Sequence, residues 1–173
     1  DMLHDQTGQP WINPSPNMRT LNAALLYPGI GLLEFSVSVG RGTDTPFEVL
    51  GAPYVNDLRL SHELNKLGLP GVQFTPVRFT PTTSIFKGEA CGGVRIAITN
   101  REALKPVETG IAIACTLQRL HPKSFALEKV NTLLNHGSSV KQIRGGTSWK
   151  KVIEAWSAET AGFEARRKAF LRY

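Results

Sequence analysis

Two segments of this chain repeat with a period of two, two others repeat with helical spacing, and no regular strand–helix–strand beat joins them. Val72 to Phe79 interleaves Val, Phe, Val and Phe with polar residues or proline, and Gly93 to Thr99 sets Val94, Ile96 and Ile98 against Arg95, Ala97 and Thr99. Both read as strands with one buried face. Asn56 or Asp57 opens an amphipathic helix with Leu60, Leu64 and Leu67 on one side and Gly68 as its stop. Pro106 suits the first turn of a second helix, whose stripe is Val107, Ile111, Ala114, Leu117 and Leu120 and which ends before Pro122. Such intermingling predicts an α+β fold: a mixed sheet packed with helices in a single compact domain.

Other segments fill in that frame. Thr20 caps a short helix through Leu21, Ala24 and Leu25, expected to stop at Pro28-Gly29. The apolar run 30–39 reads as a buried strand, and Gly40 to Pro46 as a polar, glycine-rich loop. After a mixed stretch to Gly146, Thr147 caps a helical tail whose buried side is Trp149, Ile153, Trp156, Phe163 and Phe170. The expected core includes Leu32, Leu60, Leu64, Val94, Ile96, Ile98, Ile111, Leu117, Trp149 and Trp156.

Chemistry concentrates in the loops of the first half. In Pro14-Ser15-Pro16-Asn17 two prolines fix φ and force their predecessors extended, which holds Ser15 and Asn17 in place as a rigid polar rim. The same residues also suit a plain connector in which Asn17 or Thr20 caps the next helix. Gly40-Arg41-Gly42-Thr43 follows a predicted strand, so its backbone N–H groups can converge on an oxyanion while Arg41 offers a planar fork to a carboxylate or phosphate. A turn with a solvated arginine fits the same residues. Glu34 lies in an apolar run, where burial favours the protonated acid unless a cation such as Arg41 pairs with it. Glu34 and Glu48 together would meet the two-carboxylate requirement of glycoside hydrolysis, and a structural Glu34–Arg41 bridge is the other reading.

Several classes find no support. The glycine loop lacks the third glycine of a dinucleotide fingerprint and the Lys-Ser/Thr of a phosphate loop. There is no Gly-x-Ser-x-Gly elbow or Cys–His pairing. His4, His62, His121 and His136 are scattered, and Cys91 and Cys115 read as small buried hydrophobes, so neither a metal nor a cofactor is expected. No apolar run approaches the roughly 20 residues of a membrane-spanning helix. Charge is uneven: residues 1–100 hold 7 Lys/Arg and 8 Asp/Glu, residues 101–173 hold 13 and 6, and the sums −1 and +7 give the net +6. A basic second half suits an anionic polymer or a lysine-rich solvated face, and nucleic-acid binding would need aromatic residues exposed among its Lys and Arg.

A succession of linked motifs carries a family resemblance. Trp11-Ile12-Asn13-Pro14-Ser15-Pro16-Asn17-Met18 precedes Tyr27-Pro28-Gly29-Ile30-Gly31-Leu32-Leu33-Glu34. Ser38-Val39-Gly40-Arg41-Gly42-Thr43, Pro46-Phe47-Glu48 and Gly51-Ala52-Pro53-Tyr54 follow, and Leu69-Pro70-Gly71-Val72, Cys91-Gly92-Gly93-Val94 and Pro106-Val107 continue the series. In this order they resemble the C-terminal domain of the NamZ-type exo-β-N-acetylmuramidases, glycoside hydrolases formerly classed as a domain of unknown function. Phe35-Ser36-Val37 departs from the family, whose members carry a Thr-Asn pair at that point.

The resemblance implies release of N-acetylmuramic acid from non-reducing ends of peptidoglycan fragments. It also implies a Rossmann-like N-terminal domain that supplies the principal catalytic glutamate, with the cleft between the two domains. Residues 1–17 then read as the interdomain junction and rigid loop, and 18–173 as the C-terminal domain, with the isolated chain inactive. Arg41 is implied as partner of the lactyl carboxylate, with Ser15, Asn17, Thr43, Glu48 and Tyr54 as sugar-binding residues and Glu34 in a supporting catalytic role. The implied partners are the N-terminal domain and a muramic-acid-containing saccharide, in an extracytoplasmic compartment, with no nucleic acid. A non-catalytic glycan-binding module and a basic nucleic-acid-binding domain are the alternatives.

Overall fold

The computed structural model describes residues 2–172. Its sheet has three antiparallel strands, β1 (Val49–Ala52), β2 (Val72–Phe79) and β3 (Cys91–Ile98), in the order β1-β3-β2. The period of two decides which face is buried. Val72 pairs with Ile98, Phe74 with Ile96 and Pro76 with Val94, whereas Gln73, Thr75, Arg95 and Ala97 project into solvent on the other side. Helix α2 (Asp57–Asn65) packs along β2, where Asn65 accepts from the backbone N–H of Phe74 (3.0 Å) and donates to its carbonyl (2.7 Å). Ser61 donates to the same carbonyl (2.9 Å), so the outer side of this edge strand is partly capped by side chains.

The helical layer is built on α3 (Pro106–Leu120), with every residue from Thr109 to Ala114 buried. Helix α1 (Leu21–Ile30) crosses it where Gly29 meets Gly110 backbone to backbone. Four shorter helices follow: α4 (Leu127–Leu134), α5 (Gly137–Arg144), α6 (Trp149–Glu154) and α7 (Ser157–Arg167). One core joins the layers, including Leu26, Ile30, Leu33, Leu60, Leu64, Val94 and Leu117. The α+β reading therefore holds.

Local expectations fared unevenly. Strand β2, helix α3 and the Asn56 cap of α2 stand as read, with Arg59 N–H donating to Asn56 Oδ1 at 2.8 Å. Pro28-Gly29 does not stop the first helix, which runs to Ile30. A proline in the final turn forfeits one hydrogen bond, and the packing of Gly29 against α3 holds the backbone helical. Residues 30–39 are not a strand either. A 3₁₀ turn (Gly31–Leu33) continues the helix, and only Ser38 pairs with the sheet, through Gly51. Ile30 and Leu33 are buried at a helical spacing, Phe35 is exposed, and residues 36–40 are all buried, so this run has no period of two to hold it as a strand.

Strand β1 and helices α4 and α5 appear where no element was expected. Ser148, not Thr147, stands at the N-cap of α6. Of the expected core, Leu60, Leu64, Val94, Ile96, Ile111 and Leu117 are buried, and Leu32, Ile98, Trp149 and Trp156 are partly buried against it. The tail departs most: Phe163 is 55% exposed and Phe170 82%. The chain turns at Trp156, and α7 leaves the body instead of continuing the buried stripe of α6.

Both cysteines are free, Cys91 buried and Cys115 partly buried. Burial pushes each thiol up to about 11. Against an ordinary thiol near 9.0 this lowers the reactive thiolate about 100-fold at pH 8. A disulfide-exchange reagent should therefore label both at least about 100-fold more slowly in the native protein than in denaturant. Stopped-flow thiol titration at pH 8 checks this, and immediate release of two equivalents from native protein would contradict it.

Candidate functional site

The loop between Val39 and Phe47 is closed at its base, where Phe47 N–H donates to Val39 O (2.8 Å). Within it Gly40 and Gly42 take φ values of +77° and +80°, open to glycine and strained for other residues. Thr43 folds back through its N–H (3.0 Å) and hydroxyl (2.7 Å), both donated to Gly40 O. Thr82 braces the loop from outside, its N–H (3.2 Å) and hydroxyl (2.8 Å) donating to Gly42 O. Phe47 is buried with φ +64°, an uncommon conformation for an aromatic residue.

This brace fixes where Arg41 points. Its Nη2 donates to Glu34 Oε2 at 2.7 Å, and its guanidinium carbon stands 5.7 Å from the centre of the Phe47 ring. Its Nε is buried and has no hydrogen-bond partner among the described residues. The Arg41 side chain is 35% exposed and that of Glu34 15%, so the pair is open to water on one side. A pair so placed contributes on the order of 1 kcal/mol or less to stability; its consequence is orientation of the fork.

Two further groups extend the surface. The Tyr27 ring stands edge-on to Phe47 at 5.2 Å and remains 44% exposed. Gly31, one helical turn on, leaves room for it: a Cβ there would lie 3.1 Å from the ring. Thr20 joins the loop to the start of α1, accepting from Ala23 N–H (3.0 Å) as the helix cap while its hydroxyl donates to Glu48 Oε1 (2.7 Å). Glu34, Arg41, Phe47 and Tyr27 thus form one contact chain. Glu48 follows Phe47 directly, and Thr43 shapes the arginine turn.

The remaining sequence-predicted residues lie differently. Ser15 and Asn17 form a turn, with Met18 N–H donating to Ser15 O (2.9 Å) and Asn17 N–H to Ser15 Oγ (3.4 Å). Trp11 anchors that turn by donating from Nε1 to Met18 O (3.3 Å). Tyr54 belongs to another neighbourhood, its ring edge-on to Phe86 (6.3 Å) and His121 (5.3 Å). Its hydroxyl is buried without a hydrogen-bond partner among the described residues, and burial, with a smaller electrostatic contribution from Cys91, pushes it up to about 12. Tyr54 lines a polar cleft of about 390 Å³ with Asp57, Arg78 and Cys91; a mostly apolar cavity of about 450 Å³ lies between α3 and the α5–α6 turn. Neither is lined by Glu34 or Arg41, which stay partly open to solvent.

Tyr27 and Phe47 stand in the quoted motifs without an assigned role. Carrying the helical spacing through Pro28 would have put Tyr27, Gly31 and Glu34 on one face. Among the described residues no group of three His, Cys, Asp or Glu could hold a metal, and no helix is long and apolar enough to cross a membrane.

Known proteins share this fold. The family model described as "Exo-beta-N-acetylmuramidase NamZ, C-terminal" matches residues 25–173. The Peptidoglycan beta-N-acetylmuramidase NamZ of Bacillus subtilis (strain 168) is 37% identical, over 99% of this chain and 42% of its own length. Two crystal structures of DUF1343 family proteins from Bacteroides fragilis NCTC 9343 superpose with TM-scores of 0.78 and 0.71, at 25% and 26% identity. They are matched over 99% and 94% of this chain, and over 47% and 44% of their own lengths. This chain thus spans less than half of each of these relatives. Because the family match takes in Tyr27, Glu34, the Arg41 loop and the whole sheet, the chain belongs to the family of NamZ C-terminal domains.

Proposed function

We propose that this domain forms one wall of the substrate cleft of an exo-acting β-N-acetylmuramidase and holds the terminal N-acetylmuramic acid of peptidoglycan fragments. The observation that carries the reading is the Arg41 guanidinium, aimed by Glu34 and Phe47 yet partly open to solvent. N-acetylmuramic acid differs from N-acetylglucosamine by a lactyl carboxylate, the group a planar guanidinium fork binds in bidentate fashion. Glu34 keeps the fork oriented while the saccharide enters. Tyr27 supplies an apolar edge for the sugar ring, and Ser15, Asn17, Thr43 and Glu48 supply hydroxyl and amide partners. Tyr54 supports the wall from the neighbouring cleft.

The principal catalytic glutamate is then contributed by an N-terminal domain of the same polypeptide, facing this wall. An extracytoplasmic location goes with this reading, since the peptidoglycan polymer lies outside the cytoplasm. The partial solvent exposure of Arg41 and Glu34 supports this division of labour.

The isolated chain should consequently release no aglycone from an aryl β-N-acetylmuraminide, whereas the full-length protein should turn it over. Turnover by the isolated chain near the full-length rate would place the catalytic carboxylates here and promote Glu34 and Glu48 to that role. Saccharide binding by an inactive full-length protein would favour a glycan-binding module.

A further inference from the structure

Helix α7 buries none of its residues, although it carries a recognisable apolar side. Trp156 at its N-cap, Phe163 within it and Phe170 in the 3₁₀ turn (Lys168–Phe170) that follows recur every seven positions, the spacing of one helical face. Trp156 is tethered at the root, donating from Nε1 to Ser139 Oγ (2.8 Å). Beyond it Phe163, Phe170 and Leu171 are 55%, 82% and 47% exposed. The first turn of α7 meets the body, where Glu159 Oε2 lies 3.9 Å from His136 Nε2, but a helix of 11 residues with so little tertiary support is marginal in water, because too few hydrogen bonds follow its costly nucleus. Exposed aromatics along such a helix and the turn after it mark a surface that something covers.

We propose that the aromatic stripe of α7 docks onto the N-terminal part of the full-length polypeptide and clamps it to this domain. The proposal rests on the reading above that such a part faces this domain. Two observations select this occupant. The family match runs to residue 173 and the first crystal relative aligns over 99% of this chain, so α7 belongs to the shared domain. The same relative is matched over only 47% of its length, so a polypeptide of that length has more than an equal stretch of chain with which to cover the stripe. Arg166, Arg167 and Lys168 flank the stripe, so the receiving surface is an apolar groove with an acidic rim. Nucleic acid is the poorer occupant, since Glu159 and Glu164 break the basic run on the helix itself.

Hydrogen–deuterium exchange on the full-length protein tests this. Amides of residues 158–167 should exchange at least about 10-fold more slowly in the wild type than in its Phe163→Asp variant, with β2 and β3 amides unchanged. Phe163→Leu should retain most of the protection. Equally fast exchange of α7 in wild type and Phe163→Asp would overturn the proposal. So would protection that disappears on dilution, which identifies a second copy, or that appears only with a single-stranded oligonucleotide. Muramidase activity is read separately. Protection without activity removes the functional reading and leaves the docking standing; activity with an unprotected α7 does the reverse.

Discussion

Replacing Arg41 by alanine in the full-length protein is expected to lower kcat/KM on a β-N-acetylmuraminide by roughly 10- to 150-fold. The range follows from the worth of a hydrogen bond to a charged group, about 1.5–3 kcal/mol. The loss should be much smaller on a β-N-acetylglucosaminide, where the carboxylate is missing. Arg41→Lys should recover only part of it, since an ammonium keeps the charge and loses the fork. Geometry adds a second arm. Because Glu34 holds Nη2 at 2.7 Å, Glu34→Gln keeps a hydrogen-bond acceptor and removes its charge. It should therefore cost less than Arg41→Ala on the muramic substrate. Steady-state kinetics on both substrates, with thermal melts of each variant, separate the alternatives. An equal loss on both sugars, with a matching fall in Tm, would make the Glu34–Arg41 pair a structural bridge.

That pair was half legible in the sequence. Glycines on either side of Arg41 announced a shaped loop, and both turned out to need positive φ. A carboxylate in an apolar run announced a need for a partner, which Arg41 meets seven residues on. What the sequence could not supply was the aromatic floor. Phe47 sits under Arg41 only because its N–H closes the loop onto Val39, a contact across eight residues with no local signature. Tyr27 was hidden by a rule that usually works, since proline followed by glycine ordinarily ends a helix.

The fold divides along the same line. Strands β2 and β3 and helix α2 were readable because each exposes one face and buries the other, and α3 because Pro106 and Pro122 bracket a long apolar helical run. Strand β1 has all four residues buried, so no alternation exists to detect. Helix α5 opens on Gly-Ser-Ser and is weak by propensity; burial of Val140 and Ile143 holds it. The exposed tail errs in the other direction. Its aromatic spacing is that of a buried face, and among the described residues nothing covers it.

Gly29→Ala is expected to destabilise the domain by more than about 3 kcal/mol, and the cause lies in the helix crossing. A Cβ at Gly29 would stand 1.7 Å from the Pro106 carbonyl oxygen, 2.5 Å from its carbon and 3.2 Å from Gly110 N. All three are backbone atoms, so no rotamer change relieves the overlap. A Cβ at Gly110 would likewise lie 2.4 Å from Gly29 O. Alanine at 29 must therefore push α1 off α3, dragging Leu26, Ile30 and Leu33 from the core and moving Tyr27 away from Phe47. For a domain of this size, 3 kcal/mol corresponds to a fall in Tm of about 6–12 °C. Gly31→Ala is the control. Its Cβ would meet only the Tyr27 ring, at 3.1 Å, and an exposed ring can swing aside. Alanine also favours the helical backbone there, so the net change should stay within about 1 kcal/mol. Urea and thermal unfolding of the two variants decide the matter. A Gly29→Ala protein melting within about 2 °C of the parent would mean that α1 and α3 do not cross backbone to backbone. Gly29 would then keep the role its sequence context suggested, that of a helix terminator.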